Sequence, residues 1–321
     1  MESGGDNKQA VSIQQLKRTK PPGLKSEESE EERKQYLSIL QSAGGKLLED
    51  GRHGLRIAGW RIETMKRPIL NSDARQEWEK KLGSAHLPEM VFGESSLELV
   101  HEETGIKIHF NAFDALQGWK QEALPPVEVP AAAKWKFRSK PSQQVILDYD
   151  YTFTTPYSGS EVLEPNRKQV EMDVQASETS ECLCWIQSED RINLVALQSK
   201  DPILFYDEVV LYEDELADNG VSLLTVKVRV MPTCWFLLLR FWLRVDGVLM
   251  RVRDTRMYCA FESDSKGMPV VIRERCGREG TFEALAVRGF PSESCAYGDP
   301  NLINERLPIV WQIHEKLSFS S

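Results

Sequence analysis

The chain has 321 residues, and 41% of them are hydrophobic, so it can bury a sizeable core without disulfide or metal staples. It carries 49 acidic residues against 40 Lys and Arg, and the net charge of −9 argues against nucleic acid as a partner, because phosphate would be repelled. The longest apolar run, residues 234–243, is about half of a membrane span and contains Arg240, which predicts a buried strand and no membrane partner.

Cysteine usage and the first residues bear on the cellular compartment. Six cysteines lie scattered along a long chain, and its first residues show neither a secretory signal nor a transit pattern. We therefore expect reduced thiols, no disulfides, and a location in the cytoplasm, with the nucleus as a second location.

The first fifty residues differ in composition from the rest. Residues 1–50 are polar and include the stretch KSEESEEER at 25–33, which is too charged to bury. We predict a disordered, acidic and polar extension over 1–50, followed by a single β domain over 51–321. Residues 35–48 contain enough Leu and Ile for a transient helix or a docking strand, although a tail without a role in folding is the simpler interpretation.

From Leu55 onward the hydrophobic period is two, which is typical of half-buried strands. Helical signals are fewer and depend on capping residues at the start of each helix. The elements predicted in this half are a strand at 60–64, a helix at 72–82 capped by Ser72, a hairpin at 97–110, and a helix at 111–119 capped by Asn111.

The second half continues with strands joined by turn signals. The Asp-Asn-Gly sequence at 218–220 and Asp246-Gly247 are the strongest of these signals. Many sequential hairpins with few helices predict a mainly β fold, an antiparallel sandwich-like core with a few short peripheral helices. The strands predicted here are 145–155, 208–212, 224–230, 234–245 and 248–254.

Common catalytic signatures are missing from the chain. It contains no GxSxG elbow, no phosphate-binding GxxxxGK[ST] loop and no GxGxxG after a strand. The one close cysteine pair, Cys182 and Cys184, lacks two further zinc ligands at a suitable spacing, so we predict no metal site and no cofactor. These absences argue against an enzyme, but they leave that class open.

Two aspartates remain as candidates for a binding site. Asp114 lies at a strand-to-helix junction, where it could serve a partner or supply negative charge to the first helical turn. Asp254 lies in the sequence RVRDTR, where it could serve a partner or form a local ion pair with one of three arginines. The residue types alone leave both interpretations open.

Several ordered blocks of the sequence resemble the TIPRL family, the TOR signalling pathway regulator-like proteins. The resemblance runs from about Trp60 to Leu317 and keeps the same block order throughout. The blocks are LPEMVFG at 87–93, FNAFDAL at 110–116, DYTFTTPYSG at 150–159, YEDEL at 212–216, DNGVS at 218–222, VKVRVMP at 226–232, FLLLRFWLRVDGVL at 236–249 and DTR at 254–256.

The resemblance implies a non-catalytic regulator in TOR signalling. Its partners would be catalytic subunits of type 2A, type 4 and type 6 protein phosphatases, together with the phosphatase-associated protein of the TOR pathway. The family is described as mainly antiparallel β with a cleft that receives the phosphatase and its extended C-terminal tail. Inhibition, storage of a latent form and help in assembly all fit this binding.

Four residues correspond to the partner-binding positions of the family. Asp114 and Asp254 would present acceptors, while Val252 and Ile192 would supply apolar contact. The chain departs from the family pattern in its N-terminal extension, in the acidic spacer 160–185 and in residues 260–300. Two alternatives from other classes stay open: a metal-dependent hydrolase that uses the aspartates and His109, and a β-sandwich module that binds a small ligand.

Overall fold

The computed structural model describes residues 30–49, 51–84, 87–119, 127–130, 144–147, 154–163, 182–216, 218–262, 268–291 and 294–320. Its helices are α1 (Glu30–Ser42), α2 (Ser72–Leu82), α3 (Ala112–Gln117), α4 (Leu194–Gln198), α5 (Phe282–Val287) and α6 (Pro300–Asn304), with a 3-10 turn at Ser294–Tyr297. Its strands are β1 (Lys46–Leu47), β2 (His53–Ile57), β3 (Trp60–Met65), β4 (Met90–Val91), β5 (Ser96–His101), β6 (Ile106–Asn111), β7 (Val127–Pro130), β8 (Gln144–Leu147), β9 (Ser160–Leu163), β10 (Cys182–Gln187), β11 (Phe205–Asp214), β12 (Gly220–Val230), β13 (Cys234–Val245), β14 (Leu249–Ala260), β15 (Val271–Thr281) and β16 (Ile309–Ser320).

Two antiparallel sheets make up most of the described structure. The smaller sheet has the order β1-β2-β3-β5-β6-β9, and the larger sheet has the order β10-β16-β15-β14-β13-β12-β11-β4. Strands β7 and β8 form a separate two-stranded ribbon. The predicted mainly β fold with few short helices is therefore confirmed.

The main core lies between the two sheets. Alternate residues along the strands of the two sheets point into it, as the period-two pattern requires. Trp60 of the smaller sheet meets Trp235 of the larger sheet edge to face, with 5.2 Å between ring centroids. We call the side of the larger sheet that faces this core its inner face, and the opposite side its outer face.

The predicted turns and caps match the structure closely. Strands β5 and β6 form the hairpin expected at 97–110, and β13 and β14 form the hairpin around Gly247, whose φ of 76° suits glycine. Asn111 caps α3 by accepting a hydrogen bond from the N–H of Asp114. Helix α2 is capped by Asn71 rather than by the predicted Ser72, because the Asn71 side chain reaches the N–H of Ala74.

The predicted disordered extension over 1–50 requires a correction. Residues 30–49 form α1 and β1, and Leu40 is only 1% exposed within the main core. The Tyr36 hydroxyl also donates a hydrogen bond of 2.8 Å to the carbonyl of Leu204. The apolar residues of this stretch therefore join the domain despite its charged start, so the folded part begins by residue 30. Residues 1–29 lie outside the described range.

The apolar run at 234–243, now part of strand β13, was predicted to be a buried strand. On the inner face, Leu237, Leu239, Phe241 and Leu243 are at most 2% exposed. On the outer face, Leu238 is only half-buried, so the cover is incomplete. Most of the strand predicted at 145–155 lies outside the described residues, which end this segment at Leu147 and resume at Thr154.

Candidate functional site

A row of half-buried side chains crosses the outer face of the larger sheet. Direct register partners place one residue from each of β11, β12, β13, β14, β15 and β16 side by side. Such partners lie about 5 Å apart and point to the same face of a sheet. We call this set the outer-face row, and its members in sheet order are Glu208, Lys227, Leu238, Arg256, Glu274 and His314.

Two apolar clusters bound the outer-face row. One cluster packs Trp242, Met250 and Val252 of the sheet against α5, the 3-10 turn and α6. The other packs Ile192, next to α4, against Tyr258 and other residues at the opposite ends of the same strands. The row is therefore the part of the outer face that these two covers leave open.

The outer-face row carries charges on both sides of Leu238, with a cation next to it on each side and a glutamate beyond each cation. Glu208 pairs with Lys227 at 3.1 Å, and Leu238 stands between Lys227 and Arg256, whose side chain is 39% exposed. Beyond Arg256, Glu274 accepts a hydrogen bond of 3.0 Å from the backbone N–H of Ile192, which ties the α4 segment to the sheet. This arrangement presents both signs of charge around an apolar centre, on rigid strands.

Asp254 lies next to the outer-face row but is buried. Arg240 donates two hydrogen bonds of 2.7 Å to its two carboxylate oxygens, from Nε and Nη2. The same guanidinium donates from Nη1 to Asn301 of α6 at 2.8 Å, and the Arg256 guanidinium lies 3.4 Å from Asp254 Oδ2. Asp254 is 3% exposed and does form an ion pair, but its main partner is the cross-strand Arg240, and Arg256 is the one arginine of the RVRDTR sequence shown near it.

Asp114 is more accessible, with 28% of its side chain exposed. Its Oδ2 lies 2.9 Å from Asn111 Nδ2 and 2.6 Å from Ser160 Oγ, both of which donate to it, and 3.1 Å from His109 Nε2. The Tyr157 hydroxyl closes this group by donating to the carbonyl of His109, and burial raises the pKa of that phenol. The carboxylate is thus held rigidly at the surface.

The structure separates Asp114 from the other predicted site residues. Asp254 points to the outer face, and its neighbour Arg253 points to the inner face because successive side chains alternate along a strand. Arg253 Nη1 reaches the carbonyl of Thr155, and the Thr155 hydroxyl donates to the carbonyl of Ala115 in α3. Helix α3, and Asp114 with it, therefore lies on the inner-face side.

The expected apolar contacts are not at the surface. Val252 is 1% exposed and Ile192 is 5% exposed, because each belongs to one of the clusters that cover the outer face. The structure therefore places Ile192, Val252 and Asp254 on the outer face of the larger sheet. Ile192 and Val252 belong to the two clusters that bound the outer-face row, and Asp254 is buried next to the row. Their role as partner contacts stays a prediction, and the more accessible side chains of this region include Leu238 and Arg256.

Sequence reasoning missed a buried carboxylate between the sheets. Asp207 of β11 accepts hydrogen bonds from Thr64 and Lys66 and from the backbone N–H of Glu208, and it lies 3.1 Å from His53 Nδ1. Burial opposes its ionisation, but these donors outweigh burial and hold the pKa of the Asp207 carboxyl well below its usual range. The group borders a pocket of about 480 Å³ lined mainly by polar and charged residues.

The alternative of a metal-dependent hydrolase was built on the aspartates and His109. His109 and Asp114 do lie together, 3.1 Å apart. Within the part of the chain that the structure describes, no three His, Cys, Asp or Glu side chains group as they would around one metal ion. A separate question is whether the chain crosses a membrane: among the described residues, none of the helices combines the length and the apolar character that a membrane span requires.

The fold and this surface define a two-sheet antiparallel β protein with a partly uncovered outer sheet face. The model of the TIP41-like family matches residues 90–286 of the chain. A TIP41-like protein of Arabidopsis thaliana is 63% identical over 284 residues, covering 88% of this chain and 97% of the relative. A TIP41-like protein of Homo sapiens is 36% identical over 263 residues, covering 81% and 87%. A Saccharomyces cerevisiae protein named type 2A phosphatase activator TIP41 is 33% identical over 304 residues, covering 88% and 79%. The chain belongs to the TIP41-like family, which is the family that the sequence blocks indicated.

Proposed function

We propose that this chain is a non-catalytic protein that binds a type 2A protein phosphatase and regulates it. The observation that carries the proposal is its kinship, over 88% of its length, with a protein named as a type 2A phosphatase activator. Similarity over nearly the whole chain includes both sheets and the segments that cover the outer face. The relative and this chain therefore share the scaffold that would present a binding surface.

The outer-face row is the proposed contact surface. Its side chains stand on adjacent strands, so little conformational entropy is lost when a partner orders them. Leu238 offers an apolar centre, and the half-exposed Arg256 offers a planar group that can pair with a carboxylate of the partner. An apolar centre ringed by charge is the usual anatomy of a protein–protein interface.

Asp114 is proposed as a second, separate contact. It lies on the other side of the larger sheet from Asp254, so a phosphatase that touches both Asp114 and the row must reach around an edge of the sandwich. Its carboxylate is oriented by Asn111 and Ser160 and is partly exposed, which suits an acceptor for a basic or amide group of the partner.

A binding measurement with purified proteins tests this function. Purified chain is titrated with a purified type 2A catalytic subunit, and the Arg256→Glu variant is compared with the matched control Arg56→Glu. Arg56 of β2 has similar exposure, 42% against 39%, but lies on the other sheet. We expect a loss of affinity of about tenfold or more for Arg256→Glu and none for Arg56→Glu, because an attraction becomes a repulsion.

The outcomes distinguish phosphatase binding itself from the choice of the outer-face row as the contact surface. If the unmodified chain does not bind the catalytic subunit, the proposed function is wrong. If it binds and both variants bind equally well, the function stands and the outer-face row is not the contact surface. Thermal melts of each variant show whether a lost signal comes only from unfolded protein.

Further partners, the signalling pathway and the direction of regulation belong to the same proposal. We propose that type 4 and type 6 catalytic subunits are further partners and that the chain acts in TOR signalling in the cytoplasm. The same titration, repeated with each subunit and followed by a phosphatase assay, distinguishes inhibition from activation. Lower activity of the bound subunit supports inhibition or storage of a latent form, and higher activity supports activation.

A further inference from the structure

One edge of the larger sheet is open over the first residues of β16. Strand β10 pairs with β16 only from Glu315 onward, and the backbone N–H of Ser188 then donates to the carbonyl of His314. After Ser188 the chain turns to the outer face, where Ile192 bonds to Glu274. No strand in the described ranges pairs with this edge over residues 309–313, which we call the open edge.

The side chains of the open edge are apolar on both faces of the strand. Ile309, Val310, Trp311 and Ile313 are 51%, 64%, 36% and 37% exposed, and no residue of 309–313 carries a charge. Such exposure is unusual, because natural sheets protect their edges with very short strands or charged side chains. Three other edge strands are short: β1 and β4 have 2 residues each, and β9 has 4. The fourth, β10, has 6 uncharged residues and lies beside the open edge.

The backbone of the open edge is ready to pair. The His314 carbonyl points toward the open side, where it meets Ser188. Backbone groups of an antiparallel strand alternate with a period of two, so the N–H and C=O of Gln312 also point to the open side. Trp311 lies across Gly277, where any side chain would collide with the indole. The indole therefore extends over β15, and its exposed part adds apolar surface to this end of the sheet.

The geometry points to strand addition. We propose that the open edge binds an extended, uncharged peptide segment of a partner protein, with apolar side chains at alternate positions. Main-chain hydrogen bonds to the Gln312 backbone would hold the segment, and its alternate side chains would pack beside Trp311 and Ile313 on one face and Val310 on the other. This inference does not rest on the proposed phosphatase function.

A peptide segment fits this edge better than a second copy of the chain does. Only five residues are open, whereas a stable protein–protein interface uses about 20–30 residues on each side. Pro308 has no N–H, and the register shift opposite Gly277 and Arg278 places a bulge at the start of β16. Both features are devices that stop one sheet from continuing into another, but they leave room for a short strand.

Selection of short peptides tests this inference. A phage library of random seven-residue peptides is panned against the full chain, and enriched peptides are synthesised and titrated against Gln312→Pro, Val310→Lys and the control Val287→Lys. Gln312→Pro removes an edge N–H, and Val310→Lys adds a charge there. Val287 is 85% exposed but lies in α5.

We expect enriched peptides with branched or aromatic residues at alternate positions. Their affinity should fall at least tenfold on Gln312→Pro and Val310→Lys and stay unchanged on Val287→Lys. In hydrogen exchange, the bound peptide should slow exchange of the Gln312 amide. If Gln312→Pro does not fold, Val310→Lys carries the comparison, since it removes no backbone donor.

Three results would overturn the inference. The first is that panning enriches no common pattern, and the second is that the enriched peptides bind the edge variants as well as the unmodified chain. The third is a concentration-dependent dimer of the free chain that Val310→Lys dissolves, which would make a second copy the occupant.

Discussion

Arg240 and Asp254 face each other across β13 and β14 and form two parallel charged hydrogen bonds, each 2.7 Å long. Both side chains are buried, so each depends on the other to offset its lost hydration. Through Asn301, the same guanidinium also anchors α6 to the sheet. Asp254 is thus part of the internal framework of the outer face.

Removing one partner of this pair should destabilise the fold. For Asp254→Ala we expect a loss of about 3–5 kcal/mol, because Arg240 keeps a buried charge without its counterion. The double variant Arg240→Met with Asp254→Leu should recover much of this loss. Urea unfolding measures both, and phosphatase binding by Asp254→Ala should fall only in proportion to unfolded protein. A variant of full stability that no longer binds would instead make Asp254 a direct contact.

Leu238 and Leu237 are neighbours with opposite environments, and they allow a matched test. Leu238→Asp should fold and stay soluble, because the new carboxylate lies half-exposed between Lys227 and Arg256. Leu237→Asp should be insoluble, since Leu237 is fully buried between the sheets and a lone buried charge costs several kcal/mol. Solubility and circular dichroism of the two variants check this contrast, and an insoluble Leu238→Asp would mean that the outer face is covered.

Asp114 should matter for binding more than for folding. Replacing it with Arg removes the carboxylate to which Asn111 and Ser160 donate, but both are partly exposed and can bond to water. We expect a stability loss of about 1 kcal/mol and a drop in phosphatase affinity of at least tenfold. Thermal melts and titration with the catalytic subunit measure the two effects. Normal affinity of the folded variant would remove Asp114 from the proposed contacts.

The Asp207 carboxyl should make stability depend on pH. In the folded chain the pKa of the Asp207 carboxyl lies below its usual range, so the ionised carboxylate stabilises the fold. This stabilisation is fully present above the unfolded pKa of about 4 and is lost progressively as the pH falls from that value toward the folded pKa. We expect Asp207→Asn to be less stable than the unmodified chain at pH 7, with the difference shrinking toward pH 3. Urea midpoints at a series of pH values test this.

Asp214 provides the control of opposite sign. Burial raises the pKa of the Asp214 carboxyl, so its ionisation costs folding free energy as pH rises above the unfolded value near 4. The Asp214→Asn variant should therefore not share the shrinking difference that Asp207→Asn shows toward low pH. The same slope in both variants would show that general charge effects, rather than the Asp207 cluster, cause the pH dependence.

Local patterns predicted much of the fold, and long-range pairing explains what they missed. The Asp246-Gly247 turn and the Asn111 cap are determined by nearby residues, and both were predicted correctly. The burial of Leu40 could not be read from its charged neighbourhood, because the residues that cover it come from distant strands. The core role of residues 30–49 was missed for that reason.

The candidate site was predicted less completely. Side chains alternate along β14, so Arg251 and Arg253 point to the face opposite to that of Asp254 and cannot be its partners. The partner Arg240 becomes visible only from the register between β13 and β14. Likewise, the outer-face row consists of single residues from six strands, so no window of the sequence contains it. The register between strands depends on tertiary pairing, so the spacing of residues along the chain does not determine it.

The contact between Tyr36 and Leu204 has a consequence for synthesis on the ribosome. The two residues are 168 positions apart, and the core around Leu40 draws its opposite wall from strands that are translated later still. At about 5–20 residues per second, the N-terminal helix must wait roughly ten to thirty seconds for its partners to emerge. During that interval the nascent chain exposes one wall of an unfinished core, so we expect chaperones that shield apolar segments to engage it before translation ends.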